Sequence, residues 1–272
     1  MQTYDCAPTM DDNAVLDFCR SGYLMLEGVV PGEVNDRVMA YCDQAGGGPG
    51  RAPTAEDWYV KNVTLNRALM GVVRSLLGRD FGYVQFAASH RMVGPYGPQR
   101  WHRDGGAVYG PQLDCLQVFY LPQDTTVEMG PTEVLPGSHL LFQLNQYMAH
   151  YGRLRGSVLA TAPAGSVFVT HYGIWHRRSA STVPRVRNLL KFWYLRTVPP
   201  ERDWVVGPAF ELDDAFHAPA GPSFGREMHR TKNDAAELFY WLSGRHDEFL
   251  QNVPGHNLPF YFARRAEVVP CA

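Results

Sequence analysis

Lysine is nearly missing from this chain: of 25 basic residues only Lys61, Lys191 and Lys232 are lysines. There is no lysine-rich tract, and the formal net charge is -2. No one-signed field therefore draws the protein to nucleic acid or an anionic membrane. Cysteine is sparse too. Cys6, Cys19, Cys42, Cys115 and Cys271 form an odd set without a CxxC pair, which excludes a disulfide framework or zinc ribbon and fits reduced thiols in the cytoplasm. Any metal ligands must then be histidines and carboxylates. Long hydrophobic runs are also lacking. The longest uncharged stretch, Gly156 to His176, carries Gly, Pro, Ser, Thr and His and is too polar to span a bilayer. The start of the chain has no basic segment followed by an apolar one, so no signal peptide is expected.

What remains is a chain of 272 residues, 45% hydrophobic and 12% aromatic, long enough to bury a substantial core. After a start expected to be disordered, Asp11 to Arg20 reads as a short amphipathic helix stopped by Ser21-Gly22, with a strand over Tyr23 to Leu26. Pro31 opens a second helix. Ala45 to Pro53 reads as a flexible glycine-rich loop, and Leu65 to Leu77 as a helix ended by Gly78. The middle changes character. Tyr83–Met92, Leu116–Leu121, Thr132–Leu135, Ser157–Thr161, Ser166–Thr170 and Leu189–Leu195 are short, aromatic and β-branched, and Gly-Pro turns separate them. That spacing suggests an antiparallel sandwich or barrel. Beyond Pro199-Pro200 the sequence is irregular, with a helical patch over Asp234 to Leu242. No repeat or second-domain linker is visible. The expected layout is one domain over 1–272: a helical part (9–80), a β core (about 81–198) and a C-terminal extension (199–272).

The chemistry centres on Gln99-Arg100-Trp101-His102-Arg103-Asp104. In a strand, residues i and i+2 share a face, so His102 and Asp104 can converge on one ion. A third ligand from elsewhere would complete a 2-His-1-carboxylate triad, which leaves coordination positions open. By itself the pair also suits an exposed ion pair with Arg100 or Arg103.

Three further segments narrow the choice. Leu121 to His139 ends in Gly130-Pro131-Thr132-Glu133-Val134-Leu135-Pro136-Gly137-Ser138-His139. Gly165 to His176 leads to an arginine eleven residues later, Arg187. Phe18 to Val30 combines a helix end, a Gly-Tyr pair and a strand. With His102-x-Asp104, these resemble, in order over roughly residues 11–196, the phytanoyl-CoA dioxygenase family of Fe(II)- and 2-oxoglutarate-dependent oxygenases, in its natural-product-tailoring branch. The resemblance implies a mainly β fold, a cupin-like jelly-roll (double-stranded β-helix) flanked by N-terminal helices and the C-terminal extension. It implies Fe(II) held by His102, Asp104 and His176, with 2-oxoglutarate and O₂ as co-substrates. Arg187 would take the far carboxylate, since its planar fork pairs bidentately and stays charged. The competing role for Arg187 is an ion pair with a protein carboxylate.

Gln99 and Thr132 match positions that contact 2-oxoglutarate in the family, and each also suits a turn-stabilising role. Tyr120 either faces the co-substrate or packs in the core. His171 competes with His176 for the distal position and is expected beside the metal set or in the core, and His139 in a loop brace. Many members carry Gly-Ser after the distal histidine, where this chain has Arg177-Arg178-Ser179; either Arg178 or Ser179 substitutes or the 2-oxoglutarate pocket is rearranged. Asp104 excludes the halogenating relatives, in which a small residue replaces the carboxylate. The implied reaction is hydroxylation of an unactivated C–H bond in a small or mid-sized molecule, a secondary metabolite rather than a CoA thioester. Its walls would come from Ala45–Trp58, Leu140–Arg155 and the extension. The alternatives are a cupin-type dioxygenase or isomerase without 2-oxoglutarate, and a non-catalytic ligand-binding relative. No nucleic-acid or membrane partner is expected, and the protein would be a cytoplasmic monomer or homodimer.

Overall fold

The computed structural model describes residues 1–49, 52–104, 111–141, 145–207, 210 and 225–252. Gly105-Gly106, part of the Leu140–Arg155 segment and the aromatic tail lie outside them. The helical layer begins with α1 (Asp12–Ser21), α2 (Gly32–Ala45), α3 (Asp57–Tyr59) and α4 (Arg67–Leu77), with a π-helical turn over Val60–Thr64. Local chemistry sets the helix ends. The Asp11 carboxylate accepts from the Ala14 amide to start α1, and Asn66 accepts from the Ala68 and Leu69 amides to start α4. Gly22, at φ 76°, ends α1 in the left-handed conformation.

The strands are β1 (Gln2–Tyr4), β2 (Tyr23–Leu26), β3 (Gly48–Pro49), β4 (Phe81–Tyr83), β5 (Ala88–Val93), β6 (Cys115–Leu121), β7 (Thr132–Val134), β8 (Val158–Leu159), β9 (Ser166–His171), β10 (His176–Arg178) and β11 (Val186–Leu195). An antiparallel sheet of eight runs β1-β4-β11-β6-β9-β2. The long β11 shares one edge between β4 and β5, and β5 also pairs β3. A smaller sheet runs β10-β7-β8. Together they form the mainly β, cupin-like double-stranded β-helix.

Strand alternation assigns the two faces of the large sheet. Leu116, Val118, Tyr120, Val167, Val169, Leu190, Phe192 and Tyr194 join the core shared with the helices. Phe119, Leu121, Phe168 and Leu189 turn the other way, toward Val134, Ala160 and Ile174 of the second layer. Each fully buried side chain of this kind contributes roughly 1.5–3 kcal/mol. The functional site lies at the open end of that second face.

Several expectations are corrected. The start of the chain is not disordered: Gln2–Tyr4 pairs with Phe81–Tyr83, a long-range pairing that local composition does not encode. The strand expected over Tyr83–Met92 is two strands, β4 and β5, and the Ala45–Pro53 loop contributes β3. The patch Asp234–Leu242 is the end of α6 (Gly225–Leu242), after a short α5 (Asn145–Met148) and before α7 (His246–Asn252). The extension packs back on the helical layer. Buried Asp12 accepts from Arg202 Nε, Trp204 Nε1 and the Gly207 amide at 2.8 Å each, and Trp204 meets Phe239 edge-on. No helix among the described residues is long and apolar enough to cross a membrane.

Candidate metal centre

His102 and Asp104 do not sit in a regular strand. His102 forms an isolated antiparallel bridge with His176, its amide donating to the His176 carbonyl at 3.1 Å and the reverse bond measuring 2.9 Å. Asp104 follows two residues later. A single bridge thus brings together two histidines 74 residues apart, with ring centroids 4.5 Å from each other. One ligand atom from each of His102, Asp104 and His176 lies within 4.8 Å of the others. Among the described residues this is the cluster of three whose geometry suits a metal ion.

Hydrogen bonds orient each ligand. Nδ1 of His102 faces the Arg100 carbonyl at 2.8 Å, and Nδ1 of His176 faces the Ile174 carbonyl at 3.2 Å. A carbonyl only accepts, so each Nδ1 carries the hydrogen and each Nε2 presents a lone pair. Burial, followed by the His102 ring, lowers the His176 pKa to about 4 and keeps the imidazole neutral. Asp104 Oδ2 accepts from Lys191 Nζ at 2.8 Å and from Gln117 Nε2. Burial alone would raise the Asp104 carboxyl, but the bonds from Lys191 and Gln117 outweigh it and hold it well below the usual carboxylate range. With Oδ2 held by two donors, Oδ1 is the oxygen left for a metal. Two imidazole nitrogens and one carboxylate oxygen, with no thiolate, form a donor set that suits non-haem iron.

A cavity of about 60 Å³ leads away from the triad, lined among others by His90, Gln99, Phe119, Thr132, Arg178 and Arg187. Arg187 reaches it from β11, on the same face as Leu189 and Lys191. It is 3% exposed, and burial pushes its pKa down to about 10. Its Nη2 donates to Thr132 Oγ1 at 3.2 Å, and its Nε is buried without a partner. No carboxylate among the described residues pairs with it, so the protein-carboxylate role left open by the sequence is not filled there. Besides Thr132 its neighbour is the Tyr96 hydroxyl, and a buried guanidinium without a carboxylate is costly. Beside this cavity a wider one of about 570 Å³ shares Gln99 and Arg177 and is lined by Arg100, His150 and Tyr151.

Thr132 and Gln99 both line the site, and Gln99 Oε1 accepts from the Arg178 amide at 3.1 Å. Tyr120 does not reach it. Its hydroxyl donates to Asn35 Oδ1 at 2.6 Å within the helix-facing core, so packing is its role; its neighbour Phe119 faces the cavity instead. His171 is committed elsewhere, with Nε2 on the Gln112 carbonyl at 3.0 Å and Nδ1 accepting from the Gly173 amide at 2.9 Å. His139 braces α1 through the Cys19 carbonyl at 2.9 Å. Its ring packs against Gly22, where a Cβ would come within 2.3 Å of Nδ1. Ser179 donates to the Pro131 carbonyl and is not free for a ligand.

Sequence reasoning missed Lys191, Gln117 and His90. Lys191 carried a signal as the only lysine of the β core. His90 also lines the cavity.

A model of the phytanoyl-CoA dioxygenase (PhyH) family matches residues 51–187, half of the chain. No curated protein sequence matches. Among solved structures, HygX from Streptomyces hygroscopicus with nickel and 2-oxoglutarate bound superposes with a TM-score of 0.55 at 15% identity, over 66% of this chain and 84% of its own. The non-heme alpha ketoglutarate dependent epimerase SnoN from nogalamycin biosynthesis gives 0.54 at 17% identity, over 68% and 82%. The nickel complex of the non-heme monooxygenase ThoJ gives 0.54 at 17% identity, over 86% and 97%. Identities this low show a shared fold, and the family match, which takes in His102, Asp104, His176 and Arg187, supplies the rest: the chain belongs to the phytanoyl-CoA dioxygenase family of Fe(II)- and 2-oxoglutarate-dependent oxygenases.

Proposed function

We propose that this enzyme hydroxylates an unactivated C–H bond of a small or mid-sized secondary metabolite, with His102, Asp104 and His176 holding Fe(II) and Arg187, Thr132 and Gln99 holding 2-oxoglutarate. The observation that carries the reading is the pairing, in one cavity, of a convergent His-Asp-His set with a buried guanidinium that no described carboxylate neutralises. Bound iron and 2-oxoglutarate supply the activation of O₂, with the overall balance R–H + 2-oxoglutarate + O₂ → R–OH + succinate + CO₂.

The chain's own residues do the rest. The two Nδ1–carbonyl bonds hold both imidazoles with Nε2 toward the metal. Lys191 and Gln117 restrain Asp104 to one free oxygen. Arg187, steadied by Thr132, orients the diacid by its far carboxylate. Met92, Phe119 and Leu189 keep that part of the cavity apolar and limit water beside the reacting centre. The wider cavity beside Gln99 and Arg177 supports a route for the substrate, past Arg100, His150 and Tyr151. The Asp12 contacts to the extension support one working domain over the whole chain. We place it in the cytoplasm as a monomer or homodimer with no nucleic-acid or membrane partner.

The test is an anaerobic titration with Fe(II) and 2-oxoglutarate, following the visible charge-transfer band of the chelate, then succinate release on admitting air. Asp104→Ala and His176→Ala should abolish the band, and His171→Ala should leave it. Loss of the band in His171→Ala with retention in His176→Ala would overturn the ligand assignment.

A further inference from the structure

The triplet Trp-His-Arg occurs twice, as Trp101-His102-Arg103 and Trp175-His176-Arg177, and takes in two of the six tryptophans. Each copy carries one histidine of the metal cluster at its centre. The copies meet antiparallel at the bridge between those histidines, which sets the first residue of each triplet opposite the last of the other. Neighbours along an extended chain point to opposite faces, so the tryptophans and arginines lie behind the imidazoles.

The crossed partners touch. The Arg103 guanidinium lies over Trp175, 5.0 Å from the ring centroid, and Arg177 lies over Trp101 at 4.7 Å. Both rings are fully buried. Trp175 Nε1 has no hydrogen-bond partner among the described residues, so this ring is held by its face and not by its polar edge. The outer ends are anchored as well. Arg103 Nη2 donates to the Ser138 carbonyl at 2.6 Å and to the Leu141 carbonyl, and the Trp175 amide donates to Ser138 Oγ at 2.8 Å. Arg177 Nε donates to Glu133 Oε2 at 2.6 Å, and Trp101 Nε1 to the Gly152 carbonyl at 2.8 Å. An isolated bridge has no ladder beside it to fix its register. The two cation–π pairs flank it and supply that constraint through side chains.

We propose that Arg103 and Arg177 are positioning residues: crossed over Trp175 and Trp101, they clasp the two histidine-bearing segments in the register that brings both imidazoles to one metal ion. The inference rests on the reading of His102 and His176 as metal ligands and adds what keeps them convergent.

The test titrates redox-silent Mn(II) into the metal-free protein and its variants, measuring the free ion by its EPR signal. Arg103→Met should raise the Kd about threefold to thirtyfold, the span of a partly to fully desolvated cation–π contact, and Arg103→Lys should recover part of the loss. Trp175→Phe keeps an aromatic face and should bind more tightly than Trp175→Leu. The Arg103→Met, Trp175→Leu double variant should lose clearly less than the product of the single losses. The EPR fine structure of bound Mn(II) should change in Arg103→Met, which lost stability alone would not cause. Charge alone predicts the opposite sign, because removing a cation near a divalent ion tightens its binding. Tighter or unchanged binding in Arg103→Met therefore overturns the proposal. So do equal affinities in Trp175→Phe and Trp175→Leu, multiplicative losses in the double variant, or a lower Tm with Kd and spectrum unchanged. His176→Ala separates the two levels: if it abolishes Mn(II) binding and Arg103→Met does not weaken it, only this proposal falls. If His176→Ala leaves binding unchanged, the ligand reading falls as well.

Discussion

Replacing Arg187 by methionine should make the ligand-free protein more stable and the ligand-loaded protein less so. The magnitude follows from burial. Desolvation pulls the Arg187 pKa from 12.5 to about 10, and at 1.36 kcal/mol per pH unit this corresponds to about 3 kcal/mol of penalty on the charged form. Methionine removes that penalty and fills most of the volume. It also forfeits the bond to Thr132, worth about 1 kcal/mol. The net gain is about 2 kcal/mol, or roughly 4 °C in Tm for a chain of this size. The intact protein instead gains from its ligand. Saturation at a hundred times Kd adds about 2.7 kcal/mol, and Arg187→Met should lose this increment. The assay is a pair of thermal melts with redox-silent Mn(II), with and without 2-oxoglutarate, in which the order of the two proteins should invert. If Arg187→Met melts well below the intact protein without ligand and keeps the 2-oxoglutarate increment, Arg187 serves a structural ion pair and the reasoning fails.

Lys191→Met should tighten divalent-metal binding by about tenfold, because the ammonium 2.8 Å from Asp104 Oδ2 repels any cation that joins that carboxylate; Gln117 still restrains the oxygen. Competition with a fluorescent chelator measures it, and weaker binding would show that Lys191 orients more than it repels. Acid should destabilise the metal-free fold between about pH 6.5 and 4. His171 has a folded pKa of about 4, lowered first by burial, so the unfolded chain takes up more protons in that window and stability falls as pH falls. It contributes on the order of 3 kcal/mol at most, and His171→Gln should flatten a plot of Tm against pH. Gly22→Ala should cost at least about 2 kcal/mol in chemical denaturation, because its φ of 76° disfavours a Cβ and the His139 ring fills the space; a loss under about 0.5 kcal/mol would mean that the α1 corner relaxes freely.

Much of this protein is written locally. Asp11, Gly22 and Asn66 mark helix ends through bonds their own side chains or φ angles make. The order of motifs from Phe18 to Arg187 was enough to point to the family, the jelly-roll and the triad, although His102 meets His176 through an isolated bridge and not a regular strand. Strand period, however, says that Phe119 and Tyr120 face opposite ways without saying which way the site lies. Only the packing of helices on one face of the large sheet sent Tyr120 to the core and Phe119 to the cavity. The pairing of Gln2–Tyr4 with Phe81–Tyr83 joins segments about 80 residues apart, and no local pattern encodes such a partner. The same holds for the second layer of the site: Lys191 and Gln117 meet Asp104 because β11 and β6 are neighbours. That Arg178 and Arg187 share one cavity, with no described carboxylate beside them, is likewise decided in three dimensions, because the lack of a partner depends on everything folded around a charge.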